Sequence, residues 1–197
     1  MAPACASLLL AAGGSLRLGY PKQLIKVDGE SLLRRTARLA VESGCLPNFV
    51  VLGAFAERLR PELQSLPVTI VENAAWEQGI ATSIRRGMEE LRKALELPER
   101  VLLLVCDQPR LNAAILQVLL EMEGVAIAAS RYQNSFGVPA VFSRRFFPEL
   151  AALSGDAGAR RIIAQNSAAA GFVDFPEGDF DIDTPTDVTR LDAPPRK

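Results

Sequence analysis

The sequence predicts an α/β fold built on a mostly parallel β-sheet. Short apolar segments alternate along the chain with amphipathic segments of helical period, a pattern typical of βαβ units. The strongest strand signal, RVLLLVC at 100–106, shows no polar alternation, as expected for a central strand that is buried on both faces. A chain of 197 residues is long enough for one such domain and short for two.

The predicted strands and helices follow each other in order. An apolar run that ends at Ala11 forms the first strand, and later strands are predicted at 48–53, 68–71, 100–106, 125–129, 138–142 and 171–175. Helices are predicted at 32–43, 55–63, 79–95, 113–122, 157–165 and 185–191. Ser31 and Thr184 are N-cap candidates, and Pro61 interrupts the second helix. Pro139 lacks an N–H group, which places the 138–142 strand near an edge of the sheet.

Composition limits the cellular setting and the partners. The net charge of −1 gives no general attraction to nucleic acid, and the chain has no apolar run of about eighteen residues to span a membrane. Three cysteines without a C-x-x-C pair fit a reducing cytoplasm. No basic residue precedes the first apolar run, so no signal peptide is expected. We expect a cytoplasmic domain over 1–192, a monomer or weak dimer, with a disordered tail at 193–197.

The chain contains no histidine. This absence excludes His-based triads, His-ligated zinc and the commonest general base near neutral pH. Any catalysis must therefore depend on carboxylates, on Lys or Arg, on backbone donors or on an oxygen-ligated metal.

A glycine-containing loop, LAAGGSLRLGYPKQL at 10–24, follows the first predicted strand. Its small residues let backbone N–H groups approach a phosphate closely, and Arg17 and Lys22 add positive charge. A strand-to-helix turn with solvated cations explains the glycines equally well. The Walker A pattern fails because Tyr20 and Pro21 stand where Lys and Ser or Thr are required, and the dinucleotide pattern is absent. The loop therefore binds a nucleotide in some other way, or it does not bind one.

Aspartates follow two later segments. Asp107 comes directly after the strongest strand, at the same sheet edge as the glycine loop, although an aspartate there is more often a turn former or helix cap. Asp179, Asp181 and Asp183 stand at alternate positions and would face one side of an extended segment. Crowded carboxylates favour a hard divalent cation, whereas a solvated acidic loop ahead of a helix explains them equally well.

Together these features suggest nucleotidyl transfer. A glycine loop with Arg and Lys suits a triphosphate, and a pair of aspartates suits Mg²⁺. An attacking group that is itself a phosphate is already anionic at pH 7 and needs no general base. The absence of histidine is then explained.

The loop at 10–24 resembles the signature of the MobA-like NTP transferase family, the nucleotidyltransferases related to the enzymes of molybdenum cofactor. Five further motifs occur in the family's order: NAAWEQG with Ser83, CDQP, GVPA, SGDAGAR and DIDTP. Each motif is weak alone, and the whole set is specific. The resemblance covers nearly the whole chain and is closest to the cytidylyltransferases of the family.

The resemblance implies a Rossmann-like three-layer α/β/α fold of the nucleotide-diphospho-sugar transferase type. It implies that the protein binds CTP and Mg²⁺, transfers CMP to the phosphate of molybdopterin and releases pyrophosphate. Lys22, Arg17 and Asp107 would act in catalysis. The implied nucleotide-binding residues are Leu10, Ala11, Ala12, Gly13, Gly14, Arg17, Lys22, Asn73, Gly79 and Ser83.

Metal and acceptor residues are implied in the same way. Asp107 and Asp183 would hold Mg²⁺, with Asp181 as the substitute candidate. Asp156 and Arg160 would receive the phosphate of the acceptor, although Asp156 is equally suited to a simple N-cap. Asn73, Gly79 and Ser83 would lie near the base and ribose, although Gly79 as a plain helix start and Ser83 as a plain surface hydroxyl also stay open. A client molybdoenzyme or its chaperone is the implied protein partner.

Small departures in the loop favour CTP over GTP. The guanylyl-transferring members usually read Leu-Ala-Gly-Gly, with Gly and Asp ahead of the Lys, whereas this chain has Ala12 and Tyr20-Pro21 there. Relatives with other acceptors share the loop and the aspartates, so another NTP or another phosphorylated acceptor stays open. A non-catalytic accessory protein that hands cofactor to a molybdoenzyme is a third alternative. The retained aspartates and Lys22 argue against it.

Overall fold

The computed structural model describes residues 4–133 and 135–191. Its strands are β1 (Cys5–Ala11), β2 (Lys26–Val27), β3 (Glu30–Ser31), β4 (Asn48–Leu52), β5 (Thr69–Glu72), β6 (Arg100–Val105), β7 (Ile127–Arg131), β8 (Phe136–Ser143) and β9 (Ala170–Asp174). In this part of the chain, seven strands form one sheet in the order β5-β4-β1-β6-β8-β7-β9, and β2 pairs with β3 separately. The sheet pairings are parallel except where β8 runs against β6 and β7. The predicted mostly parallel sheet is confirmed.

Helices cover both faces of this sheet. They are α1 (Leu32–Glu42), α2 (Ala56–Leu59), α3 (Ile80–Leu91), α4 (Ala113–Glu121), α5 (Phe147–Ala151), α6 (Ala159–Gln165) and α7 (Pro185–Thr189). The apolar sides of α3, α5 and α6 pack on one face, and those of α1, α2 and α4 pack on the other. Side chains of β1 alternate between these two cores, with Leu8 and Leu10 in the first and Leu9 in the second. The three-layer α/β/α architecture is confirmed.

Local capping signals start the first and last helices where predicted. Ser31 Oγ accepts a hydrogen bond from Arg34 N at 3.2 Å, which satisfies a free N–H group of α1. At the start of α7, Asp187 Oδ2 accepts from Thr184 N at 2.8 Å, one half of a capping box. These bonds mark the N-terminal ends of both helices.

Two predicted helices differ from the observed ones by more than two residues at one end. The helix predicted at 79–95 ends at Leu91, and Leu95 is fully exposed. The chain has to turn back there to enter β6, so the apolar pattern runs past the end of the helix. The helix predicted at 55–63 is divided near Pro61 into α2 and a 3-10 turn, because proline cannot donate the next backbone hydrogen bond.

The prediction that the 138–142 strand lies at an edge is wrong. β8 lies between β6 and β7 in the interior of the sheet. The β7–β8 register shifts between Ala129 and Ser130, and this irregularity leaves Pro139 outside the paired positions. Ser130 Oγ donates to Pro139 O at 2.8 Å. The bulge therefore accommodates Pro139 in an interior strand, although the sequence predicted an edge strand.

The predicted tail at 193–197 lies outside the described residues. The last described helix, α7, ends at Thr189, inside the predicted 1–192 domain. No helix in the described ranges combines the length and the apolar character that crossing a membrane requires.

Candidate active site

Two loops meet at one edge of the sheet. β1 and β6 are parallel neighbours, so their carboxyl ends bring the glycine loop and residues 106–109 to the same place. A cleft between them is lined by small loop residues, charged side chains and the start of α3: Leu10, Ala11, Ala12, Gly13, Lys22, Gln23, Trp76, Ile80, Ser83, Val105, Cys106 and Asp107. The structure thus brings most of the predicted loop residues together with Asp107. We call this space the first cleft.

One buried side chain holds the glycine loop from behind. Gln23 Nε2 donates to Ala11 O at 3.0 Å and to Gly13 O at 2.8 Å. Ser15 Oγ donates to Gln23 Oε1 at 3.4 Å and accepts from Lys22 N at 3.0 Å. The glycine loop is thus fastened to the 3-10 turn that begins at Lys22.

The two central glycines of the loop have different surroundings. A Cβ at Gly14 would lie 2.7 Å from the Trp76 ring, so the indole leaves room only for glycine. A Cβ at Gly13 would meet no atom within 4 Å. Gly13 is exposed and lines the first cleft, which leaves its backbone open to a ligand.

Lys22 joins the two predicted metal-binding aspartates. Its Nζ donates to Asp107 Oδ2 at 2.6 Å and to Asp183 Oδ1 at 2.9 Å. Arg17, on the exposed rim, pairs with the other oxygen of Asp183. Ile182 N donates to Asp107 O at 3.1 Å, which holds the segment before α7 beside the end of β6. We call Arg17, Lys22, Asp107 and Asp183 the charged cluster.

Ion pairing shifts the pKa values of Lys22 and Asp183. Burial disfavours the ammonium of Lys22, but Asp107 and Asp183 outweigh that effect and raise the pKa of Lys22 above its usual range. Partial burial also opposes ionisation of Asp183, yet Lys22 and Arg17 hold the pKa of Asp183 below its usual range. At neutral pH, Lys22 and Asp183 therefore face each other in their charged forms.

Asp181 has a different environment. Asp181 is exposed to solvent, yet the surrounding protein partly desolvates its carboxylate. This desolvation, followed by repulsion from the Asp107 carboxylate, raises the pKa of Asp181 to about 7. Asp179 is the last residue of a 3-10 turn, so the three aspartates do not share one extended segment as the sequence suggested. Within 4–133 and 135–191, no three acidic or cysteine side chains form a metal-binding group.

The donor type of the charged cluster fits a divalent cation. Two carboxylates already converge on one positive charge, the Lys22 ammonium, and hard cations such as Mg²⁺ prefer carboxylate oxygens. Asp107 and Asp183 are therefore the residues that can hold a metal. The ammonium occupies one oxygen of each aspartate, so a metal placed between them competes with Lys22.

Residues predicted near the base and ribose have mainly internal partners. Asn73 Nδ2 donates to Thr82 Oγ1 at 2.9 Å and to Ser83 Oγ at 3.0 Å, and Asn73 Oδ1 accepts from Ala75 N at 3.0 Å. The buried Asn73 amide therefore fastens the 73–83 segment. Ser83 lines the first cleft although it is largely buried.

Gly79 and the predicted acceptor loop contact each other. Gly79 has a φ of 100°, and a Cβ there would lie 2.5 Å from both Asp156 Oδ1 and Gly155 O. Ala81 N donates to Gly155 O at 3.2 Å. Asp156 thus packs against Gly79, the N-cap residue of α3. Asp156 is not the N-cap of α6, because that position is held by Gly158.

A second cleft shares an inner wall with the first. Aromatic and charged residues contribute to its lining: Leu10, Ile80, Ile84, Val105, Asp107, Gln108, Tyr132, Phe136, Gly137, Val138, Gly158, Ala159, Arg160 and Asp181. The Arg160 guanidinium lies 5.8 Å from the centroid of the Phe136 ring. The structure therefore places Arg160 in the second cleft and Asp156 against the start of α3.

Sequence reasoning missed Gln23, Trp76, Tyr132 and Phe136 as site residues. Gln23 stands next to Lys22 in the loop motif, but its burial follows only from the fold. Trp76 is the single tryptophan of the chain and lies in the NAAWEQG motif, so a signal for it existed. Tyr132 and Phe136 flank the β7–β8 connection outside the motifs, and no sequence signal pointed to them.

Comparison with known proteins identifies the family. The MobA-like NTP transferase domain matches residues 7–170, which include the glycine loop and Asp107 and end before Asp183. The chain belongs to this family. It is therefore a nucleotidyltransferase of the MobA-like type.

Individual proteins also resemble this MobA-like transferase over most of their length. The chain is 30% identical to the purine catabolism protein PucB of Bacillus subtilis (strain 168), over 93% of each protein. It is 28% identical to a probable molybdenum cofactor guanylyltransferase of Nostoc sp., over 92% of this chain and 87% of that one. The crystal structure of Rv0371c from Mycobacterium tuberculosis H37Rv matches with a TM-score of 0.79 and 30% identity, covering 97% of this chain and 98% of that one. Rv0371c in complex with manganese matches over the same shares, with a TM-score of 0.74 and 28% identity.

Proposed function

We propose that this nucleotidyltransferase transfers CMP from CTP to the phosphate group of molybdopterin and releases pyrophosphate, with Mg²⁺ as the metal. The observation that carries the proposal is the convergence of the glycine loop and the charged cluster on one cleft. Backbone donors suit the phosphates of a nucleotide, and paired aspartates suit a divalent cation. The manganese complex of the related Rv0371c supports a metal-dependent reaction.

In this proposal each residue has a defined task. Backbone N–H groups of the glycine loop bind the triphosphate, and Lys22 and Arg17 neutralise charge on the α-phosphate and the leaving pyrophosphate. An oxygen of the acceptor phosphate attacks the α-phosphorus and forms a P–O–P linkage as the bond to pyrophosphate breaks. Bound Mg²⁺ would supply further charge neutralisation, held by Asp107 and Asp183. No side chain has to remove a proton, because the acceptor phosphate is already ionised at pH 7.

Lys22 has to change partners during this reaction. Its Nζ pairs with the two aspartates that would bind the metal. If Asp107 and Asp183 held the metal, the Lys22 ammonium would be free to pair with the phosphates, because its side chain already lines the first cleft where they would lie. Both partly exposed carboxylates would then keep a cationic partner.

The second cleft is the proposed acceptor site. Tyr132 and Phe136 offer aromatic surface for a flat heterocycle such as a pterin, and Arg160 offers charge for its phosphate. Asp107 borders both clefts, so the acceptor phosphate and the α-phosphate would meet beside the charged cluster. Asp156 would act indirectly, through its packing against Gly79.

GTP is the second candidate nucleotide, because the Nostoc relative is named as a guanylyltransferase. The Asn73 amide favours neither base, since it is committed to Thr82 and Ser83. The choice of CTP rests on Ala12 and on Tyr20-Pro21 in the loop. We infer a cytoplasmic client molybdoenzyme, or its chaperone, as the recipient of the product.

A substrate panel tests the proposed function. The purified protein is assayed for pyrophosphate release with CTP, GTP, ATP or UTP and Mg²⁺, with either molybdopterin cofactor or a sugar phosphate as acceptor. We expect release with CTP and molybdopterin cofactor, whereas release with GTP would establish the second candidate. Nucleotide binding without release in every combination would contradict an enzymatic role and indicate an accessory protein.

A further inference from the structure

The protein engages three successive carbonyl groups of the glycine loop. Ala11 O and Gly13 O accept hydrogen bonds from Gln23 Nε2, at 3.0 and 2.8 Å. Ala12 O accepts from Ala54 N at 3.0 Å. The loop is therefore an ordered turn whose acceptors are satisfied by the rest of the molecule.

Fixing a carbonyl group also fixes the N–H group of the same peptide. In a trans peptide the C=O and N–H bonds point in opposite directions, so Gln23 directs the N–H groups of Ala12 and Gly14 away from itself. Among the described residues, the Gly14 N–H group donates to no protein acceptor. Gly14 follows Gly13, which lines the first cleft, and a free backbone donor in such a place is what an anion requires.

Gln23 is not itself available to a ligand. Only 1% of its surface is exposed, and both hydrogens of its amide are used by the loop carbonyls. We propose that Gln23 is a positioning residue, which aligns the N–H groups of Ala12 and Gly14 with the phosphates of the bound nucleotide. This inference rests on the proposed function, because it presumes a phosphate ligand in the first cleft.

The experiment compares two buried amides. Gln23→Met keeps the length of the side chain and removes both donors to the loop. Asn48→Leu is the matched control, because Asn48 is also buried and accepts from Ser7 Oγ at 2.6 Å while donating to Cys45 O at 2.8 Å. Asn48 begins β4, at the opposite end of the sheet from the first cleft.

Tripolyphosphate is the probe, since it tests the loop independently of the base. Calorimetric titration should show that Gln23→Met binds tripolyphosphate about ten- to a hundred-fold more weakly than the wild type, as expected when two donors lose their alignment. Asn48→Leu should lower thermal stability and leave this affinity unchanged. A folded Gln23→Met protein that binds tripolyphosphate as the wild type does would overturn the inference.

A second measurement needs no variant and can overturn the inference even where Gln23→Met does not fold. In ¹⁵N–¹H spectra of the wild type, tripolyphosphate should shift the amide resonances of Ala12 and Gly14, and unshifted resonances would overturn the inference. Shifted amides without nucleotidyl transfer from CTP or GTP would defeat the proposed function alone. Transfer that Gln23→Met leaves unimpaired would defeat the positioning role alone.

Discussion

The two sides of the first cleft differ in how ready they are for a ligand. On the side of the glycine loop, the carbonyl groups are bound by the protein and the Gly14 N–H group donates to no acceptor in the described ranges. On the side of the charged cluster, Lys22 and Arg17 already occupy oxygens of both aspartates. In the proposed function, one side is preorganised for a phosphate, and the other would exchange the Lys22 ammonium for a metal.

This difference predicts the order in which ligands bind. Phosphates meet donors that need no rearrangement, so the nucleotide can bind to the loop by itself. A metal alone has to displace the Lys22 ammonium, whereas a metal that arrives with the nucleotide offers that ammonium new partners on the phosphates. We therefore expect the metal to enter with the nucleotide.

The largest effect is expected from Asp107→Asn, which removes a carboxylate that borders both clefts. In the proposed function Asp107 would help to hold the metal, so pyrophosphate release should fall by about a thousand-fold, which corresponds to roughly 4 kcal/mol in the barrier. The same assay on Glu89→Gln, an exposed carboxylate on α3, should give wild-type rates. A folded Asp107→Asn protein with normal turnover would remove Asp107 from the reaction.

Lys22→Met should have the next largest effect. Turnover should fall by about a hundred-fold, the scale of losing one charge-stabilising donor in a transition state. Steady-state kinetics with saturating CTP measures this loss. Lys93→Met is the control, because Lys93 is exposed and pairs with Glu90 away from the first cleft. An unchanged kcat in Lys22→Met would mean that the lysine has only a structural role.

The two glycines of the loop should differ in their effect on stability. Gly14→Ala should lower the free energy of unfolding by about 1–3 kcal/mol, because the new methyl group collides with Trp76. Gly13→Ala should change that free energy by less than about 0.5 kcal/mol, since its methyl group has open space, and it should weaken CTP binding instead. Urea denaturation and calorimetric titration of both variants measure this. Identical behaviour of the two variants would contradict the assignment of Gly13 to the ligand side.

The smallest effect concerns Cys106, which precedes Asp107 in the chain. Burial and then the Asp107 charge disfavour the thiolate and raise the pKa of Cys106 to about 12. Alkylation requires the thiolate, so at pH 8 iodoacetamide should leave Cys106 unmodified in the native protein and modify it after denaturation. Mass spectrometry of the digested protein reads this out, and rapid native modification at pH 8 would show that the thiol is accessible and ionised.

Much of the fold could be predicted because burial on both faces leaves a direct mark on the sequence. The apolar segment at 100–106 indicates a central strand, and β6 does lie beside β1 in the middle of the sheet. The position of β8 could not be predicted in this way. A proline in a strand is compatible with an edge strand and with a bulge, so Pro139 alone does not distinguish the two. The register of β7 against β8 does.

Those parts of the site that follow from the arrangement of parallel strands could be predicted. Neighbouring strand ends must bring the loop and Asp107 together, and the family resemblance pointed to Asp183. The Lys22 contacts to both aspartates could not be predicted, because they depend on where the segment before α7 crosses the end of β6. Burial of Gln23 likewise depends on the path of the chain after the loop, which local patterns do not record.

The most direct test of the difference between the two sides is Mn²⁺ binding to the nucleotide-free protein, measured by electron paramagnetic resonance. Lys22→Met removes the internal cation and leaves two carboxylates that repel each other, so it should bind Mn²⁺ about ten-fold more tightly than the wild type. Asp107→Asn should bind Mn²⁺ more weakly than the wild type. Equal or weaker Mn²⁺ binding by Lys22→Met would contradict the proposal that Lys22 and the metal compete for these carboxylates.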